Sequence, residues 1–168
     1  MTQEGLQKAG SITRSQYLTF HLGSEDYGIE ILNVKEIIQY SGVTSVPRTP
    51  DYVLGVINLR GNVVPVLDLL NLFGEDHIRQ TKRTCIIIVE IEDAGEAMQA
   101  GLIVDEVDEV IGLGPDEIEK APSFGSGTRT RFIKAMGKLG ERFIILLDLT
   151  RIIAPDELHV FKDEGGGD

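Results

Sequence analysis

Short apolar runs dominate the chain, and most of them alternate with polar residues at a period of two. Such runs lie at Tyr17 to Leu22, Tyr27 to Ile31, Gln39 to Ser45, Val53 to Leu59, Val63 to Leu67, Cys85 to Ile91, Gln99 to Val104, Val107 to Leu113, Phe132 to Leu139 and Phe143 to Leu147. A period of two puts successive side chains on opposite faces of a pleated strand, so the pattern predicts about ten strands. Turn residues separate them, and no amphipathic helix longer than about three turns intervenes. The prediction is an all-β barrel or sandwich class, with a parallel α/β sheet disfavoured.

Part of the pattern occurs twice. Gly28-Ile29-Glu30-Ile31-Leu32-Asn33-Val34-Lys35-Glu36-Ile37-Ile38 matches Gly101-Leu102-Ile103-Val104-Asp105-Glu106-Val107-Asp108-Glu109-Val110-Ile111 in its Gly, Val, Glu and aliphatic pair. Val66-Leu67-Asp68-Leu69 matches Leu146-Leu147-Asp148-Leu149 in the same order along the chain. Two similar units follow, each of about five strands in about 70 residues, too small to bury a sufficient core alone. They are expected to lean on one another through a shared apolar seam, with a cleft between them. The expected divisions are a disordered tail over 1–15, a first unit over 16–82, a second over 83–148, a short helical segment over 149–160 and a flexible tail over 161–168.

Composition narrows the function. The 168 residues are 42% hydrophobic and 26% charged, an ordinary globular balance, with a formal net charge of −11. That charge offers no general field for phosphate backbones or anionic lipid. Between Cys85 and Glu119 there are acids throughout and no Lys or Arg, while Arg79, Lys82 and Arg83 precede this window and Arg129, Arg131, Lys134, Lys138 and Arg142 follow it. Patches of both signs favour oriented protein–protein docking, and the alternative is a solvated acidic face. Cys85 is the single cysteine, so no internal disulfide forms and a reducing, cytosolic home fits. The first ten residues lack the apolar core of a signal peptide, and no stretch approaches the ~18 apolar residues of a membrane span.

No catalytic constellation stands out. Asp68 and Asp148, one per unit, resemble a carboxylate pair, but each precedes Leu-x-x-Leu/Ile and reads as the N-cap of a short helix after a strand. His21, His77 and His159 have no ligand spacing to one another or to Cys85, so no metal or cofactor is expected. Asp105 to Val110 reads as a strand with its Val residues inward and its acids outward, and Phe124-Gly125-Ser126-Gly127-Thr128 as a flexible loop. The most distinctive segment is Gly55-Val56-Ile57-Asn58-Leu59-Arg60-Gly61-Asn62-Val63-Val64-Pro65-Val66-Leu67-Asp68, two strands about a tight turn that pushes Arg60 into solvent. Pro65 has no N–H, which predicts that the second strand lies at an edge or a bulge.

From Tyr17 to about Ile153 the chain resembles the CheW chemotaxis coupling proteins. The resemblance rests on Tyr17-Leu18-Thr19-Phe20-His21-Leu22-Gly23, Tyr27-Gly28-Ile29-Glu30-Ile31 with Val34-Lys35-Glu36-Ile37, Gly55-Val56-Ile57-Asn58-Leu59-Arg60-Gly61, Val64-Pro65-Val66-Leu67-Asp68-Leu69, Gly101-Leu102-Ile103-Val104-Asp105, and Ile144, Leu146 and Asp148. It implies two five-stranded SH3-like barrels side by side with short helices. It also implies a non-catalytic, monomeric adaptor that joins the cytoplasmic tips of chemoreceptors to the regulatory domain of the histidine kinase CheA, in the cytoplasm at membrane-associated arrays. Carried over by position, Val34, Glu36, Ile37, Gly55, Asn58 and Arg60 would face the receptor, with an amphipathic helical hairpin set in the seam between barrels. Phe124, Arg129 and Phe132 would mark the kinase-facing side. The competing readings are a regulatory module of a CheA- or CheV-type signalling protein and a small-molecule-binding or hydrolytic barrel.

Overall fold

A computed structural model of the chain describes residues 14–121 and 129–153. Eleven strands run in order: β1 (Ser15–Leu22), β2 (Glu25–Glu30), β3 (Val34–Gln39), β4 (Val53–Leu59), β5 (Asn62–Asp68), β6 (Cys85–Asp93), β7 (Glu96–Val104), β8 (Glu106–Leu113), β9 (Ile118–Lys120), β10 (Ile133–Leu139) and β11 (Arg142–Leu147). Two short helices, α1 (Leu69–Leu72) and α2 (Leu149–Ile153), follow β5 and β11. Asp68 Oδ1 accepts the N–H of Asn71 at 3.2 Å and Asp148 Oδ1 that of Arg151 at 3.2 Å, so both acids cap helices as their spacing predicts.

The strands form a six-stranded sheet, β8-β1-β2-β11-β10-β9, and a five-stranded sheet, β3-β6-β7-β5-β4. The all-β expectation holds, but the sheets are not closed barrels. In the five-stranded sheet the two edges approach each other, and their backbones are joined there by an isolated bridge between Thr44 and Val56, whose N–H groups donate reciprocally at 2.9 and 2.8 Å. The expected strand over Gln39 to Ser45 is therefore that single bridge, and β3 lies just before it. The sheets also cross the 82/83 boundary. The β1–β2 hairpin belongs to the sheet of β8–β11, and the β6–β7 hairpin belongs to the sheet of β3–β5.

This exchange is reciprocal and uses the repeat. Gly28 of β2 lies beside Leu146 of β11 in a parallel pair, and Gly101 of β7 lies beside Val66 of β5 in another. A Cβ on Gly28 would sit 3.0 Å from Leu146 Cδ2, and one on Gly101 would sit 2.7 Å from Ile86 Cγ2. The two glycines thus recur because the sheet's inner side chains fill the space a methyl would need. Pro65 is not at an edge, since β5 lies between β7 and β4. It is tolerated because Val56, its partner on β4, turns both backbone groups toward Thr44, and the β7 ladder begins one residue later at Val66.

The largest apolar cluster draws on both sheets and is the seam between them, including Leu18, Phe20, Ile29, Leu67, Ile87, Leu102 and Ile152. Each sheet also has a smaller cluster of its own, around Ile144 and Leu146 in one and Val66, Ile86, Ile88 and Ile103 in the other. Through the seam runs an aromatic column, Phe20–Tyr27–Phe73–Phe132, with ring centroids 5.9, 5.6 and 5.9 Å apart. These rings fill the interior of the expected cleft, and what remains open at the seam are depressions at its rim, one of them lined by Glu30, Ile91, Lys134 and Asp148.

Candidate partner-docking surface

β4 and β5 are joined by Arg60 and Gly61 alone, between the paired residues Leu59 and Asn62. Both turn residues have positive φ, 54° and 90°, the hand that matches the twist of a hairpin. Two interactions offset the cost of that geometry at Arg60. Asn58 Oδ1 accepts the Gly61 N–H at 2.9 Å, and the Arg60 guanidinium donates to both oxygens of Glu36 at 2.5 and 3.0 Å. Arg60 is thus 72% exposed at its side chain yet held in a forked pair. The same pair holds the Glu36 carboxyl below the usual carboxylate range.

Glu36 is in place because β3 is bulged. The register against β6 shifts between Val34 and Glu36, so Val34 pairs with Val89 and Glu36 with Ile88. Lys35 is the extra residue. Val34 and Ile37 consequently share the face of Val89 and Ile87, which belong to the seam, while Glu36 and Ile38 follow Ile88 and Ile86 on the inner face. Val34 packs against the seam, whereas Ile37 is 44% exposed. Behind the ion pair is a depression of about 300 Å³ lined by Lys35, Glu36, Leu59, Arg60, Asn62, Ile88 and Gln99. Its acid, Glu36, is already partnered by Arg60, and two of its other lining residues, Gln99 and Lys35, meet Glu90 just outside it at 2.9 and 3.9 Å.

Glu36, Asn58 and Arg60 therefore meet at one end of the five-stranded sheet, while Ile37 and Val34 lie on the other face of the same strand edge. Gly55 does not join this surface. It is buried, with φ +155°, and a Cβ there would lie 2.2 Å from the Thr44 carbonyl oxygen, so it serves the bridge that links the sheet edges. Lys35, Asn62 and Gln99 escaped the sequence reading because cross-strand register, and not spacing along the chain, brings them there. Of the residues expected to face the kinase, Phe124 lies outside the described residues, as does the side chain of Arg129. Phe132 is only 3% exposed, tilted at 40° against Phe73 at the end of the aromatic column, and presents no docking surface.

The bulge recurs on β8, where Thr19 Oγ1 donates to Glu109 O at 2.7 Å and accepts the Glu109 N–H at 3.1 Å. It turns Val110 outward, 47% exposed, against the expectation of an inward Val. Many acids of the Glu90–Glu119 window meet cations from elsewhere: Arg142 binds Asp108 and Glu109, Arg83 binds Glu106 and Lys138 binds Glu119.

Two partly open sheets around a filled seam, with a charged hairpin held at one end, define a protein-binding scaffold. Residues 16–157 match the CheW-like domain family model. The chain is 37% identical over 150 residues to the chemotaxis protein CheW of Klebsiella aerogenes, covering 89% of this chain and 88% of that one. It is 36% identical over 141 residues to CheW of Helicobacter pylori, covering 84% and 82%. The crystal structure of the scaffolding protein TtCheW from Thermoanaerobacter tengcongensis superposes with a TM-score of 0.75 at 36% identity, covering 85% of this chain and 94% of that one. The chain belongs to the CheW family of chemotaxis scaffold proteins, and it is not an enzyme.

Proposed function

We propose that this protein couples the histidine kinase CheA to the cytoplasmic tips of chemoreceptors, and that the Glu36–Arg60 end of the five-stranded sheet receives the receptor. The observation that carries the reading is the held hairpin. A charged fork fixed by two bonds and an exposed aliphatic residue, Ile37, lie on a rigid sheet. Preorganised groups lose little entropy on binding, so an apolar anchor with a charged rim can select a partner through modest contact area. Val34 and Asn58 support the anchor and the turn from beneath. An amphipathic receptor helix would lie across this end of the sheet, since the seam itself is filled.

The kinase's regulatory domain would dock on the segment around Phe124 and Arg129, whose base Phe132 fixes in the core. By holding both partners at once, a monomeric adaptor raises their effective concentration, and an array repeats the effect. Among the described residues no helix is long and apolar enough to cross a membrane. The protein would thus work in the cytoplasm, recruited to membrane-associated arrays by its partners. The test is sedimentation of the kinase with receptor-containing membranes, with no adaptor, with this protein and with its Arg60→Glu variant. Kinase should sediment with the intact protein and much less with the variant. Equal sedimentation with and without this protein would refute the coupling.

A further inference from the structure

His77 joins three segments that are distant in sequence. Asp68, at the β5–α1 junction, is fully buried, and its Oδ2 accepts the Ile78 N–H at 2.9 Å and faces His77 Nδ1 at 3.0 Å. On the other side of the ring, Nε2 lies 3.2 Å from Asp51 Oδ2 in the loop that leads into β4. An imidazolium donates from both nitrogens, and a neutral imidazole from one only. We propose that His77 is a proton-operated clamp that ties the loop ahead of β4 to the linker between the two halves, and that losing the ring proton releases the loop.

Which bond survives follows from burial. An unmet acceptor costs most where water cannot replace the donor, so the neutral ring keeps its N–H on buried Asp68. Asp51, with its side chain 80% exposed, turns to water instead. Other charged groups line the same depression beside the ring: the acids Glu75 and Asp76 on the linker, Glu25 from β2 and Asp105 beyond β7, whose charge suits an imidazolium, and Arg79, whose charge opposes one. Asp105 is itself engaged by the Gly23 N–H at 2.7 Å. The bond with Asp68, with the charges of Asp68 and Asp51, raises His77 above its ordinary value of 6.5. The clamp is therefore shut below that value and opens as pH rises through the higher one.

Release is felt at the start of β4. The Val53 N–H donates to Pro50 O at 3.0 Å, and the Asp68 N–H donates to Tyr52 O at 2.7 Å, so this loop sets where the strand begins. The test is amide hydrogen exchange by NMR at pH 6 and pH 8.5, corrected for intrinsic rates, with the ring titration of His77 followed in the same samples. Protection of the Val53 amide in the wild type should fall about three- to tenfold between the two pH values, in step with the His77 titration. Asp51→Ala, at an exposed position, should fold normally and show the lower protection at both pH values, and its His77 should titrate at lower pH. His77→Gln should lose the pH dependence. Unchanged wild-type protection across the titration, or a pH dependence that persists in Asp51→Ala or His77→Gln, would overturn the clamp.

Discussion

Gly55→Ala separates a structural role from a contact role at a position where family resemblance and geometry disagree. The added methyl would lie 2.2 Å from Thr44 O and 2.7 Å from Thr44 C, well inside any tolerated contact, so the 44 segment must retreat by about 1 Å. Retreat breaks both bonds of the Thr44–Val56 bridge, at about 0.5–1.5 kcal/mol each. A non-glycine residue at φ +155° adds backbone strain of roughly 1–3 kcal/mol. The sum is about 2–6 kcal/mol, and at ~2–4 °C per kcal/mol for a chain of this size the melting temperature should fall by about 10 °C. The assay is thermal unfolding by circular dichroism alongside receptor binding at a temperature where the variant is folded. A melting temperature within ~2 °C of wild type, with binding abolished, would refute the reasoning and return Gly55 to the docking surface.

Arg60→Glu should leave the unfolding midpoint close to that of wild type, because the pair it breaks is exposed, while receptor engagement falls; a large loss of stability in urea titration would make Arg60 a structural residue. Val66→Asp should leave the chain unfolded or insoluble, since residue 66 is 0% exposed against Ile86, Ile88 and Ile103 and an unpaired carboxylate there has no compensation; a soluble variant with a native melting transition would contradict the assigned packing. For His77, a folded-state value above the unfolded one gives stability that is fully present below about pH 6.5 and lost as pH rises through the raised value. The melting temperature of wild type should therefore exceed that of His77→Gln by most near pH 6 and by least near pH 9, and a constant difference would count against the pairing with Asp68.

The strands were legible because alternation is a local property, and nine of the ten predicted runs overlap strands of the fold. Partnering was not, because it is set between residues far apart. Nothing along the chain marks that Gly28 meets Leu146 or that Gly101 meets Val66. Hence a division at 82/83, natural to a repeat read in order, differs from the sheets. The bulges at Lys35 and on β8 break the period of two, which hid the exposure of Val110. β9, with only Ile118, Glu119 and Lys120, is too short to carry a period. At the docking end, the turn and Arg60 were visible through Arg-Gly chemistry, but the grip of Glu36 on Arg60 depends on the approach of two sheet edges. Gly55 and Phe132 are expected at surfaces only through the family resemblance, and a position carried over from a motif does not distinguish a contact from a packing role.

The reciprocal loan of hairpins has a bearing on ancestry. If a single unit existed by itself, its first two strands would find their partners only in a second copy, and the second copy's would find theirs in the first. Such a pair would be a two-fold symmetric homodimer with the sheet order seen here, and joining the copies end to end would require only the linker that now carries His77. The present chain has within one polypeptide the strand order such a dimer would have. Fusion would then have freed the two ends to diverge, so that one keeps a balanced charge around Arg60 while the other gathers acids around Arg142. A chain severed at the linker should accordingly be recoverable as two fragments that fold only in each other's company.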